Sequence, residues 1–329
     1  MKGIGALDQT GVQEALLSNE VALNRNVVNS AESADFRPVC SPSYQPQVHV
    51  PEGVIFQGDS ISWLKSLGTS TVDMIFADPP CNIKRLNGIT SILKKSISNG
   101  VCSGSRKRVV SLNQKGSLYI CGFSEILADL KHPAMKYFAG CRWIVWHYRN
   151  KANLGNDWGR SHESILHFRK SKSQKLVDID HIRIPYGAHT LRYPSHPQAD
   201  TSAFGKGRPK RGNWVPHPMG AKPKDVIEVP TTCNGMNEKT PHPTQKPEEL
   251  IRKFVFAGTA PGELIVDPFS GSGTTAVAAA QLGRRFLVCD LDPEYNGWAA
   301  SRLQQLQRRT EDEWFEYDRA NAQRRESIR

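Results

Sequence analysis

The chain has 329 residues, 38% hydrophobic and 23% charged, with a formal net charge of +11 and a pI near 9.3. That suffices for one large α/β core with an inserted or appended lobe, and the basic balance points to a polyanionic partner. No run reaches membrane-spanning length, the N-terminus lacks a signal-peptide pattern, and the cysteines are scattered without a Cys-x-x-Cys. The expectation is a soluble, cytoplasmic protein with neither a disulfide framework nor a metal site.

Residues 1–50 hold Asn, Ser and Pro without a sustained period and are expected to form a loosely ordered arm, with packing against the core as the alternative. Val54-Ile55-Phe56 reads as a strand and Ser60 to Leu67 as a helix. The apolar run Val72 to Ala77 is a second strand, and the two are expected to be parallel neighbours in a β-α-β unit. Asp78-Pro79-Pro80-Cys81 follows at once. Two prolines can neither extend the strand nor start a helix core, so the chain turns and leaves an acid at the carboxyl end of a strand, where open α/β sheets bind ligands. A plain strand-ending turn is the bland alternative.

Residues 85–115 contain no acid, many Ser, Gly and Lys, and no helical period, although a parallel crossover here calls for a covering helix. One reading is a loop over the active site that acts as a lid. Another is a shifted reading frame, because the neighbouring frame entered through the Lys84 codon can encode an amphipathic helical pattern.

Ser117 to Cys121 is a buried-strand run, Phe123 to Leu130 a helix, and Arg142 to Tyr148 an aromatic-rich strand. Ser161 to Phe168 is expected to pair with that strand as an antiparallel edge, its His162 and His167 being structural or DNA-facing. Residues 151–226 hold fourteen Lys or Arg against six Asp or Glu. Within 170–235, Arg183, Lys206, Arg208, Lys210 and Arg211 are interleaved with Tyr186, Tyr193, Phe204 and Trp214. Such cations neutralise phosphates while aromatics reach bases, so the segment is expected to contact DNA; a solvated linker is the alternative.

Pro241-His242-Pro243-Thr244-Gln245-Lys246-Pro247 leads into a helix from Glu248 to Phe256. Leu264-Ile265-Val266 is a strand ending in Asp267-Pro268-Phe269-Ser270-Gly271-Ser272-Gly273-Thr274-Thr275, which opens a helix from Ala276 to Leu282. Glycines there let the backbone approach a ligand, and the helix N-terminus offers free N–H groups. The strand Arg285 to Cys289 then ends in Asp290, where dinucleotide folds hold ribose hydroxyls. A helix from Pro293 to about Arg309 follows, and 310–329 is expected to be a frayed helix or solvated tail.

The order Asp78-Pro-Pro-Cys81, basic segment, His242-Pro-Thr-Gln-Lys-Pro247, Asp267-Pro-Phe-Ser-Gly-Ser-Gly273 resembles the β-group of S-adenosylmethionine-dependent DNA amino-methyltransferases of restriction–modification systems. The resemblance covers about 51–305 apart from the atypical stretch 85–115. It implies a doubly wound, mostly parallel Rossmann-like α/β sheet with permuted motifs, its cofactor strand lying beside the catalytic strand: 51–169 as the catalytic half, 170–235 as target-recognition region, 236–309 as the cofactor half and 310–329 as a charged tail.

It implies that Asp78 and the Pro79 carbonyl, within the motif Asp78 to Cys81, accept the hydrogens of the target amino group. Asp267, Phe269, Ser270, Gly271, Ser272, Gly273 and Thr274 would line the S-adenosyl-L-methionine site, with Asp59 beside them. Asp290 would hold the ribose, and Thr244 and Lys246 would lie near the methionine end. Its fourth motif position is usually an aromatic that stacks on the flipped base; Cys81 loses a stack of about 1–3 kcal/mol, one to two orders of magnitude in base capture. An Asp at the first position resembles the adenine-N6 enzymes, with cytosine-N4 methylation as the alternative. Duplex DNA is the implied partner, a cognate restriction endonuclease would act separately, and the chain would be a monomer or homodimer without membrane attachment. The rivals are a nicotinamide oxidoreductase and a non-catalytic DNA-binding descendant.

Overall fold

A computed structural model describes residues 44–67, 71–80, 111–150, 156, 158–193, 196–197 and 213–327. Among these, one nine-stranded sheet is built from β1 (Tyr44–Val50), β2 (Gly53–Gly58), β3 (Thr71–Ala77), β4 (Ser111–Gly122), β5 (Gly140–His147), β6 (His162–Arg169), β9 (Val226–Glu228), β10 (Leu264–Asp267) and β11 (Arg285–Asp290). A separate two-residue pair, β7 (His196–Pro197) and β8 (Asn213–Trp214), lies within the basic segment. The helices are α1 (Ser60–Ser66), α2 (Ser124–Ala134), α3 (Ala188–Arg192), α4 (Glu248–Gly258), α5 (Thr274–Gln281), α6 (Pro293–Gln304) and α7 (Glu311–Ser327).

The strand order is β1-β2-β11-β10-β3-β4-β6-β5-β9, and β2, β11, β10, β3 and β4 form a continuous parallel block. This is the expected doubly wound, mostly parallel α/β architecture. Parallel strands covered on both faces must be apolar throughout, and all four residues of β10 are buried. The strand carrying Asp78 and the strand carrying the glycine turn are direct neighbours, Ile265 pairing with Met74 and Val266 with Ile75. Asp73 fixes the near end of this junction: its carboxylate accepts from Leu264 N on β10 at 2.9 Å and from the Asn113 amide on β4. On the face above, Phe254 of α4 packs on Phe76 and Tyr119 with ring centroids 6.0 and 4.8 Å away.

Four expectations change. β2 and β3 are not neighbours, because β11 and β10, which arrive much later in the chain, insert between them. β6 is not an edge strand; it lies between β4 and β5, antiparallel to both, which explains why Ile165, Leu166 and Phe168 are fully buried. Part of the expected N-terminal arm is sheet, since Tyr44–Val50 pairs antiparallel with β2 as the edge strand. Residues 111–115 of the atypical stretch belong to β4, whereas 81–110, and with them the lid and shifted-frame readings, lie outside the described residues.

The charged tail is corrected as well. Helix α7 buries Trp314, Phe315 and Asp318 against the cofactor half. Asp318 takes a two-pronged bond from the buried Arg252 guanidinium, at 2.9 and 2.6 Å, and that guanidinium lies 4.2 Å from the Trp314 ring centroid. Among the described residues, no helix is long and apolar enough to cross a membrane.

Candidate active site

Because β3 and β10 run side by side in the same direction, their carboxyl ends open into one cleft of about 940 Å³. Its walls include Asp78, Pro79 and Pro80 from the end of β3, Thr244 and Lys246 from the proline-set turn, Asp267, Phe269, Ser270, Gly271 and Ser272 at the end of β10, Thr274, Asp290 and Asp59, while Gly273 lies behind them against α6. Nearly all of the sequence-predicted site residues of the fold's two halves therefore share one space. Cys81 lies outside the described residues.

The glycine turn is shaped by contacts that leave no room for side chains. Gly271 and Gly273 have φ of 50° and 77°, in the left-handed region. A Cβ at Gly273 would stand 2.4 Å from Ala299 Cβ of α6, and one at Gly271 would stand 2.8 Å from His242 Nε2. Asp290, at the tip of β11, accepts from Gly271 N at 2.8 Å and from Asp292 N at 3.1 Å, so the next strand's acid holds the turn open. Thr274 Oγ1 donates to Lys246 O at 3.0 Å, and Arg302 donates to Ser272 O at 2.8 Å. These bonds lock the proline-set turn and α6 onto the N-terminus of α5.

Asp267 lies at the buried edge of the cleft wall, 2% exposed. Its carboxylate accepts from Thr275 Oγ1 at 2.6 Å and Phe269 N at 2.9 Å. Burial nevertheless pushes its pKa up to about 7. An acid whose folded pKa exceeds its unfolded value, about 3.9, contributes stability at low pH that is lost as pH rises through about 7. Asn in its place can accept from Phe269 N and donate to the Thr275 hydroxyl, so Asp267→Asn is expected to flatten the stability profile between about pH 4 and about 7. Urea unfolding of both proteins across that window is the check, and parallel profiles would contradict the assignment.

Lys246 is not simply a cofactor neighbour. Its ammonium donates to Asp78 Oδ2 at 2.6 Å and stands 3.2 Å from Glu163 Oε2, with the Trp146 ring centroid 5.8 Å away. Burial pushes its pKa down, but Asp78 and Glu163 more than offset this and hold it well above the ordinary lysine value, so it is charged. Cys121, whose thiol burial pushes well up, donates to Glu163 at 3.5 Å. Ligand atoms of Asp78, Cys121 and Glu163 lie within 4.8 Å of one another, a spacing suited to a metal, yet the cation bonded to both carboxylates is Lys246.

Glu163 escaped the sequence reading, which weighed the flanking histidines instead. The signal was an acid in a strand otherwise fit for burial, which needs a partner. His167 is structural: it bonds Ser117 Oγ at 3.0 Å and stacks on Tyr119 at 4.3 Å, and burial pushes its pKa down to about 3. Phe123, with the Arg160 guanidinium 3.8 Å from its ring centroid, and Tyr148 complete the wall on the Asp78 side.

Of the five basic residues expected on DNA, Lys206, Arg208, Lys210 and Arg211 lie outside the described residues. Arg183 is the one of the five that the structure describes. Its Nε donates to Asp180 at 2.6 Å, its Nη1 to Gly220 O at 3.0 Å, and its side chain is 9% exposed, so it holds the segment's own loops together.

The DNA methylase family model (N6_N4_Mtase) matches residues 72–300. The chain is 29% identical over 252 residues to the DNA adenine methyltransferase YhdJ of Escherichia coli strain K12, covering 76% of this chain and 82% of that protein. It is 30% identical over 264 residues to the Type II methyltransferase M1.MboII of Moraxella bovis, covering 77% and 97% respectively. Among solved structures, the cytosine-N4-specific PvuII DNA methyltransferase shares the fold, with a TM-score of 0.55 at 16% identity over 76% of this chain and 86% of that one. With the family model spanning both strand-end motifs and the segment between them, the chain belongs to the DNA methylase family.

Proposed function

We propose that this chain methylates the exocyclic N6 of adenine in duplex DNA at a specific site, with S-adenosyl-L-methionine as methyl donor. The observation that supports this reading is the single cleft shared by Asp78 at the end of β3 and the glycine turn at the end of β10. The cleft suits the donor: the backbone of the glycine turn, with Gly271 on the cleft wall, is held at the N-terminus of α5, Asp290 stands at the next strand end, and Ser270 Oγ is buried on the same wall without a hydrogen-bond partner. When bound, the donor supplies an electrophilic methyl group on a sulfonium.

The chain's own residues supply position and charge. An adenine amino group is a poor nucleophile because its lone pair is delocalised into the ring. Asp78 and the Pro79 carbonyl accept its two hydrogens and turn the lone pair toward the methyl group, so alignment is most of the catalysis. The target nitrogen is hidden in the duplex, and rotating the base out costs a few kcal/mol. We assign 51–169 and 236–309 as the two halves of the catalytic domain and 170–235 as the region that selects the site. Adenine rather than cytosine follows from Asp at the first motif position and from the similarity to a protein named an adenine methyltransferase.

Sequencing DNA from a host that expresses the chain, with detection of modified bases, tests this reading. N6-methyladenine at one recurring sequence is expected. N4-methylcytosine would overturn the choice of base, and unmodified DNA that is nevertheless bound on a gel would mark a non-catalytic relative.

A further inference from the structure

The conventional strand-end motif explains Asp78 but not why a buried lysine and a second acid are attached to it. Lys246 Nζ donates to Asp78 at 2.6 Å and forms an ion pair with Glu163 at 3.2 Å, and both acids line the cleft. The trio is fixed from all sides. Glu163 is on β6 and receives the Cys121 thiol from β4. The Trp146 ring, under Lys246, is anchored by its indole N–H to Val229 O at 2.8 Å. Lys246 itself is tied through its carbonyl to Thr274 of α5.

Two carboxylates and one ammonium carry a net charge of −1, and Arg160, the other cation on this wall, has its own counter-charge in Glu125 at 3.7 Å. If Asp78 faced Lys246 alone, the pair would be neutral and the ammonium would draw electron density from the oxygen that must accept an amino hydrogen. We propose that Glu163 is a positioning residue which, by sharing the Lys246 ammonium, leaves the Asp78 end of the cleft with one uncompensated negative charge that favours a cationic ligand. This rests on the reading of the cleft as a methyl-donor and base site. During transfer, the positive charge that begins on the sulfonium passes to the target nitrogen as the sulfur–methyl bond breaks and the nitrogen–methyl bond forms. That nitrogen then releases one proton to Asp78. A surplus negative charge at the Asp78 end favours the cationic donor over its neutral product and, as transfer proceeds, the positive charge that reaches the nitrogen beside Asp78.

The test compares binding of cationic S-adenosylmethionine with that of neutral S-adenosylhomocysteine by calorimetry, alongside the single-turnover rate of DNA methylation. Glu163→Gln keeps an acceptor for Lys246 but removes the charge. It is expected to lower affinity for the cation about tenfold, leave the neutral product within about threefold, and slow single turnover about 10- to 100-fold. Glu163→Asp, which retains the charge, is expected to keep the wild-type ratio of the two affinities. Equal weakening of both ligands in Glu163→Gln, or an unchanged ratio, would overturn the inference and leave Glu163 a packing residue. Failure of the wild-type chain to methylate DNA would sink the functional reading instead, while the affinity ratio, which needs no turnover, still decides this one.

Discussion

Asp78→Ala is expected to cut the single-turnover rate of methyl transfer by about three orders of magnitude while binding of neutral S-adenosylhomocysteine stays within about threefold. The size follows from the role proposed for the carboxylate. As a preorganised acceptor in a partly water-excluded cleft it would act in the transition state, and removing one such group costs about 10²–10³ in rate. The substitution also strips the buried Lys246 ammonium of its 2.6 Å partner, leaving Glu163 alone to compensate it. Product binding is spared because the bonds that shape the other half of the cleft, from Gly271 N to Asp290 and from Thr274 to Lys246 O, are backbone-anchored and do not involve Asp78. Quenched-flow methylation of a duplex with a labelled methyl group and calorimetry with the product measure the two quantities. A mutant that retains the wild-type rate would remove Asp78 from the chemistry. Loss of product binding in step with rate would make it a structural residue.

The largest effect on stability is expected from Asp318→Ala. This acid sits on α7, in the stretch that by composition alone looks like a solvated tail, yet it holds the 2% exposed Arg252 on α4. Removing one member of a buried pair leaves a charge without compensation, which costs about 3–5 kcal/mol. Arg252 retains Glu248 at 3.2 Å and Gln281 at 2.7 Å, so the expected loss lies near about 3 kcal/mol. Replacing both partners, Arg252→Met with Asp318→Leu, should recover most of that loss because no unpaired charge remains. Urea unfolding of the three proteins measures it. A single mutant within about 0.5 kcal/mol of wild type would mean that Glu248 and Gln281 suffice and that α7 contributes little. The consequence for function is direct, since α4 begins two residues after Lys246 and carries its loop.

The two strand-end motifs were legible in the sequence because each rests on backbone rules: prolines forbid continuation, glycines permit close approach, and short apolar runs mark buried parallel strands. Adjacency of the two was legible only through motif order and resemblance, since nothing local in Val72 to Ala77 encodes which strand will lie beside it. For the same reason β2 and β3 were expected to touch: consecutive strands usually do, and the rule fails here because a later pair is inserted between them. The tail was misread because three buried residues, Trp314, Phe315 and Asp318, among seventeen make no apolar stripe; α7 is held by ion pairs and ring contacts that only the fold brings together. Glu163 was hidden in a similar way. Its importance lies in a bond to Lys246, 83 positions away in the chain, which no spacing rule reports.

The most direct measurement is a crystal structure of the chain with S-adenosylhomocysteine and a duplex carrying its target site. The account predicts the product's adenosine against Gly271 and Asp290, its sulfur facing the Asp78 end, and an extruded adenine whose exocyclic nitrogen is within hydrogen-bond distance of the Asp78 carboxylate. A product bound elsewhere, or a target nitrogen paired with some other acceptor while Asp78 stays closed on Lys246, would contradict it.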